Sequence, residues 1–287
     1  MRRSPLQKPP SRSVQLYTDI QGQGLPMLCL HGHPGSSRSM DVFVEALSPQ
    51  FQTITPDLRG YGRSRTRAPF AMQDHLDDLD QVMAGHDKFW ILGWSLGGIL
   101  ALEIALRHPT RVQGLILIAT AARPRGSHPP ITWQDNLLTG FAGVINCLRP
   151  AWHWNIQQLG KRSLFRYLIR QHTDYAYQRL AREGAEAYLK TTRQATHALT
   201  QAIRQGYDRQ GDLPRISVPC LMLCGECDRH ITAAASQATA QGLPNCDFQQ
   251  YQNTAHLFPW EIPHQVQTDI RCWLQGLSSV SRGEQQH

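Results

Sequence analysis

The sequence Gly-Trp-Ser-Leu-Gly at positions 93–97 stands between two apolar runs with no polar spacer. The run at residues 89–93 predicts a buried strand, and the run at residues 96–107 predicts a helix. So tight a turn strains the backbone at Ser95, and the flanking glycines remove side chains that would collide. The first helical turn adds free N–H groups and positive potential beside the hydroxyl. The pattern is typical of a serine that attacks a carbonyl carbon, and a small-residue turn with an idle serine is the alternative.

Strand-like and helix-like segments alternate on both sides of this turn. The predicted strands are residues 27–31, 52–55, 89–93, 115–119, 220–224 and 248–251, and the predicted helices include 73–83, 96–107, 233–241 and 263–274. This alternation predicts an α/β fold with a mostly parallel, doubly wound sheet. Residues 133–207 interrupt it with helical patterns alone. We therefore predict a core of residues 14–122 and 212–277, with a helical lid, residues 123–211, inserted after a central strand.

Composition and the chain ends favour a cytoplasmic protein. Residues 1–13 are basic and proline-rich and lack the apolar stretch of a signal peptide, so we predict a disordered tail there and another at residues 278–287. The apolar stretch at residues 115–122 is far too short to cross a bilayer. The seven cysteines are odd in number and irregular in spacing, which fits reduced thiols better than disulfides.

Positive charge is concentrated in the predicted lid. The formal net charge is +7, and residues 121–211 hold thirteen Arg and Lys against five Asp and Glu. One interpretation of this excess is a solvated helical surface. The other is a face that attracts anionic substrates or an anionic membrane, in which case the lid would allow peripheral contact of the protein with the membrane. The arginines are scattered and no nucleic-acid-binding motif accompanies them, so we expect no nucleic-acid partner.

The predicted lid also contains aromatic residues. We expect most of them to pack in the core of the lid and the rest to line a broad apolar pocket. They are Trp133, Phe141, Trp152, Trp154, Phe165, Tyr167, Tyr175 and Tyr177.

Four further segments follow predicted strands. HGHPG starts at His31, DLRGYGRS starts at Asp57, GECD ends at Asp228, and HLFPWEIP starts at His256. In this order, and together with GWSLGG, the segments resemble the α/β-hydrolase superfamily, with its H-G-x-x-G, D-x-x-G-x-G-x-S, G-x-S-x-G-G and G-x-x-D patterns and a late histidine followed by E-x-P. The resemblance covers residues 16–277 and is weakest in the helical insertion.

The resemblance implies a catalytic triad in the chain order that the superfamily uses, with Ser95 as nucleophile, Asp228 as acid and His256 as base. A serine hydroxyl is a poor nucleophile until a base removes its proton, and a neutral imidazole does so near pH 7. The acid would hold the imidazole in the correct tautomer. The resemblance also implies that the backbone N–H groups of His33 and Leu96 form an oxyanion hole.

Other polar residues near these motifs are assigned as follows. Trp94 and His33 are the candidate side chains for substrate contact. His31 is expected to brace its loop, and Asp57 and Arg59 to shape the loop beside the site. His-x-His at the first motif and the single C-x-x-C lack the further ligands of a metal site, so we expect no metal and no organic cofactor.

The resemblance specifies the fold more closely than it specifies the reaction. Ser95 disfavours dehalogenases and epoxide hydrolases, which use aspartate there, and Leu96 replaces the tryptophan of proline iminopeptidases. The menaquinone-pathway lyase is similar around GWSLGG, but Ile99 stands where that lyase tends to carry a carboxylate-binding arginine. We expect a serine hydrolase that cleaves a carboxylic ester or thioester of a lipophilic small molecule. A C–C hydrolase or lyase, and a ligand-binding protein that retains the triad, are the alternatives.

Overall fold

The computed structural model describes residues 14–127 and 132–283. In this part of the chain seven strands form one sheet, in the spatial order β1-β3-β2-β4-β5-β6-β7. The strands are β1 (Thr18–Gln21), β2 (Leu25–Leu30), β3 (Phe51–Pro56), β4 (Phe89–Trp94), β5 (Val112–Ile118), β6 (Cys220–Gly225) and β7 (Cys246–Tyr251). Only β1 is antiparallel to its neighbour, so the predicted mostly parallel sheet is confirmed.

The edge strand β1 was not predicted from the sequence. Its residues, Thr-Asp-Ile-Gln, are half-buried or exposed and contain no apolar run that would mark a strand. The pairing of β1 with β3 fixes it instead, through a contact between segments far apart in the chain. Strands β2 to β6 are nearly continuously buried, which is why an uninterrupted apolar pattern identifies them, whereas only the last residue of β7 is buried.

Helices cover both faces of the sheet. They are α1 (Asp41–Leu47), α2 (Met72–Val82), α3 (Leu96–Arg107), α4 (Trp133–Leu148), α5 (His153–Gln158), α6 (Asp174–Arg179), α7 (Ala185–Lys190), α8 (Arg193–Arg204), α9 (Ala233–Gly242), α10 (Phe258–Glu261) and α11 (Pro263–Gly283). Side chains of α2, α3 and α9 belong to one hydrophobic core, and those of α1 and α11 belong to a second. Because each core lies on its own face, the sheet is doubly wound, as predicted.

The segment between β5 and β6 is helical, with α4 to α8 joined by short 3₁₀ and π turns and with no strand among its described residues. Threonine side chains cap several of these helices: Thr173 accepts from the N–H of Ala176, and Thr192 from that of Ala195. The division of the chain into core and lid stays a prediction.

Two expectations about exposure and order are corrected. First, α11 continues to Gly283, so residues 278–283 are helical where a disordered tail was predicted. A buried stripe at Val266, Ile270 and Leu274 anchors this helix, and no proline or glycine before position 276 interrupts it. Residues 1–13 and 284–287, predicted to be disordered, lie outside the described residues.

Second, most aromatic side chains of residues 123–211 do not form a buried core. Trp133, Phe141, Trp154 and Tyr175 are exposed, whereas Tyr177 is buried. The sequence shows the apolar character of these helices but not which of their faces the rest of the chain covers. None of the described helices is long and apolar enough to cross a membrane.

Candidate active site

Ser95 forms the junction between β4 and α3. Its φ of 55° lies in the left-handed region, which a serine adopts only where the surrounding structure imposes it. The Ser95 N–H donates to the carbonyl of Ile118 at 2.8 Å, and the Thr120 hydroxyl donates to the Ser95 carbonyl at 2.8 Å. Both partners lie at the end of the neighbouring strand β5, so the sheet itself holds this turn in its strained conformation.

Glycines make the turn sterically possible. A Cβ atom on Gly93 would collide with the carbonyl of Gly97, and one on Gly97 would collide with the carbonyl of Leu30. A Cβ on Gly98 would overlap the side chain of Thr120. These contacts are with backbone or with a buried side chain, so the neighbours have no room to move. The sequence-based explanation of the glycines around Ser95 therefore matches the packing.

Asp228 and His256 come together at the carboxyl ends of β6 and β7. The imidazole Nδ1 of His256 lies 2.7 Å from Asp228 Oδ2. The other oxygen, Oδ1, accepts the backbone N–H groups of His230 and Ile231, at 2.7 and 3.0 Å. Because a carboxylate can only accept, Nδ1 must carry the proton of a neutral imidazole, which leaves the lone pair on Nε2. His256 therefore has the tautomer that a general base requires.

Ser95 shares this edge of the sheet, since it follows β4 while Asp228 and His256 follow β6 and β7. No hydrogen bond in the described chain joins the Ser95 hydroxyl to His256, so the structure brings together the acid and the base but does not close the nucleophile–base contact. Catalytic hydrogen bonds in ligand-free enzymes are often long and shorten when substrate binds. All three residues are nearly buried, at 4 to 5% exposure.

The loop after β2 passes directly against the serine. A Cβ atom on Gly32 would lie 3.1 Å from Ser95 Cβ, a tight contact that would push the loop or the serine aside by a few tenths of an ångström. The next residue is His33, whose Nδ1 lies 2.8 Å from the hydroxyl of Tyr61. Leu96 is the first residue of α3, where the backbone N–H has no acceptor within the helix. The two predicted oxyanion donors are thus carried by the two segments that flank Ser95.

His31 braces the same loop, as expected. Its Nδ1 lies 2.8 Å from the Gly32 carbonyl, and its Nε2 accepts the N–H of Leu58 at 3.0 Å. Burial lowers the pKa of His31, and burial together with the nearby His31 lowers the pKa of His33 to about 4. Both imidazoles are therefore neutral at pH 7, and neither competes with His256 for a proton.

The D-x-x-G-x-G-x-S segment is structural, also as expected. Asp57 accepts the backbone N–H groups of Ser37 and Arg63 at 2.6 and 2.7 Å, which ties the segment to the loop after His33. Arg59 forms two hydrogen bonds with Asp78, at 2.5 and 2.6 Å, and both side chains are buried. These contacts hold Tyr61 in the position from which it reaches His33.

We predicted that the Trp94 side chain contacts the substrate, but in the structure it packs in the hydrophobic core. Its ring packs edge-to-face against Phe43 and Trp260, with centroids 5.9 and 5.3 Å away, and only 4% of the residue is exposed. Trp94 is the last residue of β4, and its contacts are with α1 and α10 in the core that includes α11. Sequence position next to Ser95 suggested a pocket residue, but side chains of successive strand residues point to opposite faces.

Glu261 is a site residue whose role the sequence did not reveal. Its buried carboxylate accepts the N–H of Ala255 at 2.9 Å, next to His256, and those of Arg170 and Gln171 at 3.0 and 2.7 Å. Burial raises the pKa of this carboxyl above its usual value. Glu261 thus joins the histidine loop to the segment before α6. Its spacing from His256 was visible in the sequence, but its partners 90 and 91 residues away were not.

A second contact brings the same helical segment to the triad. The N–H of Leu257 donates to the carbonyl of Leu168 at 2.9 Å. Nearby, burial and then the negative charge of Asp228 raise the pKa of Tyr167. In the described ranges no group of three or more His, Cys, Asp and Glu side chains has the arrangement of a metal site.

Comparison with known proteins places these features in context. The family model for the alpha/beta hydrolase fold matches residues 26–263. A pimeloyl-(acyl-carrier protein) methyl ester esterase of Nitrosomonas europaea is 29% identical over 258 residues, covering 88% of this chain and 96% of that protein. A protein of the same name from Vibrio atlanticus is 26% identical over 275 residues, covering 91% of this chain and 96% of that protein.

Solved structures share the fold. A thermophilic esterase from Thermogutta terrifontis superimposes with a TM-score of 0.63 at 24% identity, covering 91% of this chain and 93% of that one. A meta-cleavage product hydrolase from Pseudomonas fluorescens gives a TM-score of 0.67 at 18% identity, covering 91% and 94%. Since the two solved proteins differ in reaction, this likeness speaks for the fold and not for the bond that is broken.

Proposed function

The chain belongs to the α/β-hydrolase fold family, and on that premise we propose that it is a serine hydrolase that cleaves a carboxylic ester through an acyl-enzyme on Ser95. One observation carries the proposal. His256 is held by Asp228 at 2.7 Å in the tautomer of a base, at the same edge of the sheet as Ser95. The fold does not require a strained serine or an oriented imidazole at this edge of the sheet. Both features are typical of catalytic sites.

The first half of the reaction forms the acyl-enzyme. His256 Nε2 takes the proton of the Ser95 hydroxyl while Oγ attacks the ester carbonyl. Asp228 stabilises the imidazolium that results. The carbonyl oxygen becomes an oxyanion and accepts hydrogen bonds from the backbone N–H groups of His33 and Leu96, each of which is expected to contribute about 10²- to 10³-fold to the rate.

The second half releases the acid. The imidazolium of His256 gives its proton to the departing alkoxide, so the alcohol leaves neutral and the acyl group remains on Ser95 Oγ. A water molecule then gives a proton to His256 and attacks the acyl carbonyl. Collapse of this second intermediate breaks the bond to Oγ, returns the proton to Ser95 and frees the carboxylic acid.

The substrate class follows from the relatives and from the pocket side of the site. Relatives that match most of the chain are named pimeloyl-(acyl-carrier protein) methyl ester esterases, which supports an ester with a small alcohol and a longer acyl group. The segment that contains Leu168 is hydrogen-bonded to Leu257, next to His256, so it is our candidate for the side of the site that contacts the acyl group. The seven cysteines are all unpaired thiols, which supports a cytoplasmic location.

Covalent labelling tests the nucleophile. Incubation with a fluorophosphonate should add one adduct to the intact mass of the wild type and none to Ser95→Ala, because only a serine activated by a base reacts. Folded wild-type protein that takes up no adduct would favour the ligand-binding alternative. Methyl esters of short and medium acyl chains, the matching thioesters and a C–C hydrolase substrate, assayed in parallel, separate the reactions that the fold allows.

A further inference from the structure

Helix α4 presents an apolar stripe to solvent. Five large residues recur at spacings of four, four, three and four along it: Trp133, Leu137, Phe141, Val144 and Leu148. They are 71, 49, 56, 63 and 83% exposed, in that order. At 3.6 residues per turn they fall within about 80° of the helix circumference and form a continuous line about 22 Å long. We call this line the α4 stripe.

The outward face of α4 is unusual because it carries no charge. The remaining exposed residues of the helix are Gln134, Asn136, Gly140, Gly143 and Cys147, none of which is charged. The one charged residue in the helix, Asp135, is buried and pairs with Arg166. A surface helix ordinarily places charged side chains opposite its buried face. An exposed apolar surface of this length without charged residues is typical of a site that contacts another protein or a membrane.

Basic side chains border the stripe. From Trp133 to Arg170 the chain has five Arg and Lys residues against the single Asp135. Arg149 directly follows the stripe and lies over the ring of Trp152. Arg162 is on the 3₁₀ turn that packs against α4. In the ranges that the structure describes, neither Arg149 nor Arg162 has a carboxylate within ion-pair distance.

We propose that the α4 stripe docks the protein on an anionic lipid surface. Apolar side chains on one line, with arginines beside them and aromatic rings at the ends, are the composition of helices that lie in the interface of a bilayer. Trp133 stands at one end of the stripe, and Trp152 and Trp154 lie just beyond the other. Indole rings favour the headgroup level of a membrane. The stripe would insert its side chains while the arginines contact lipid phosphates.

A second copy of the chain or its own N-terminal segment would fit the α4 stripe less well than a lipid surface. A second copy of the chain would place two faces with the same excess of positive charge against each other, which is unfavourable. Residues 1–13 contain one leucine and one methionine among basic and polar residues, so they cannot cover five large side chains. The α4 stripe contains none of the residues assigned to catalysis, so the proposal does not depend on the reaction that Ser95 and His256 catalyse.

Vesicle flotation of the full-length protein tests the proposal. The wild type should float with vesicles of phosphatidylcholine mixed with phosphatidylglycerol, bind pure phosphatidylcholine much less, and dissociate as salt is raised. Phe141→Ser combined with Leu148→Ser should weaken binding to the anionic vesicles by at least about tenfold, because two large side chains no longer leave water. Arg149→Glu combined with Arg162→Glu should weaken it by a similar factor.

A matched control uses apolar residues of similar exposure elsewhere. Ile20, on the edge strand β1, and Leu25, at the start of β2, are 57 and 60% exposed and lie outside α4, so Ile20→Ser with Leu25→Ser should bind vesicles like the wild type. Hydrolysis of a soluble ester, measured for every variant, checks that the fold and the site are intact. Equal binding to neutral and anionic vesicles, or no binding by the wild type, would overturn the proposal. So would a wild-type dimer in light scattering that the Phe141 and Leu148 substitutions dissociate.

Discussion

Replacing Asp228 with asparagine should remove activity while leaving the fold intact, and the geometry says why. Oδ1 of Asp228 accepts two backbone N–H groups, from His230 and Ile231. An amide nitrogen cannot accept a hydrogen bond, so the asparagine oxygen must keep this position. Its NH₂ group then faces Nδ1 of His256, where the carboxylate oxygen now lies at 2.7 Å. To accept from that NH₂ group, the imidazole must move its proton to Nε2.

The size of the effect follows from this forced tautomer. With the proton on Nε2, His256 can no longer take one from Ser95, and kcat should fall by about 10⁴, as for the equivalent substitution in a serine protease. The hydrogen bonds of residue 228 are all preserved, so the free energy of unfolding should change by no more than about 1 kcal/mol. The two quantities are measured by hydrolysis of a chromogenic ester and by urea unfolding.

Asp57→Asn provides the opposite case. Each oxygen of Asp57 accepts one backbone N–H, from Ser37 and Arg63, so an amide nitrogen must face one of these donors in either orientation. The unfolding free energy should drop by about 1.5–3 kcal/mol, with a far smaller loss of kcat than at Asp228. If Asp228→Asn kept more than about a hundredth of the wild-type kcat, the assignment of Asp228 as the partner that sets the tautomer of His256 would be wrong.

Three further substitutions test the surroundings of the site. Arg59→Met leaves Asp78 charged and buried, so the unfolding free energy should fall by about 3–5 kcal/mol in urea denaturation. Tyr61→Phe removes the hydrogen bond to His33 and should lower kcat about 2- to 10-fold with little change in KM. Burial lowers the pKa of His75 from 6.5 to about 3, so the unfolded chain binds more protons in that range and stability falls as the pH drops below 6.5. His75→Leu should flatten this dependence in urea unfolding at stepped pH.

Each of these three substitutions has a control or an outcome that would contradict the prediction. Arg107, whose side chain is 34% exposed, pairs with Asp77 and Asp80, so Arg107→Met should cost less than about 1 kcal/mol. Equal losses for the Arg107 and Arg59 variants would contradict the role of burial. An unchanged kcat in Tyr61→Phe would show that the loop holds its place without this contact, and an unchanged slope in His75→Leu would assign the acid sensitivity to other groups.

Local sequence patterns alone predict the strand–turn–helix around Ser95 almost to the residue. The predicted helix at residues 96–107 is α3, and the predicted strand differs from β4 by one residue. Both follow from forces between near neighbours in the chain, namely apolar periodicity and the space that glycine leaves in a tight turn. The same local patterns marked Asp228 and His256 as residues just past strands, and the structure brings these two into contact.

The residues that support the site become visible only in the folded chain. His33 meets Tyr61, 28 positions later, and Glu261 meets Arg170, 91 positions away, and no local pattern encodes either pair. Likewise the periodicity of α4 predicts an apolar face, but only the packing of the rest of the chain shows that this face is left in solvent. Periodicity arises within one element, whereas burial is a property of the whole assembly of elements. For that reason the sequence could supply the nucleophile and its turn, while the bracing contacts and the docking surface required the folded chain.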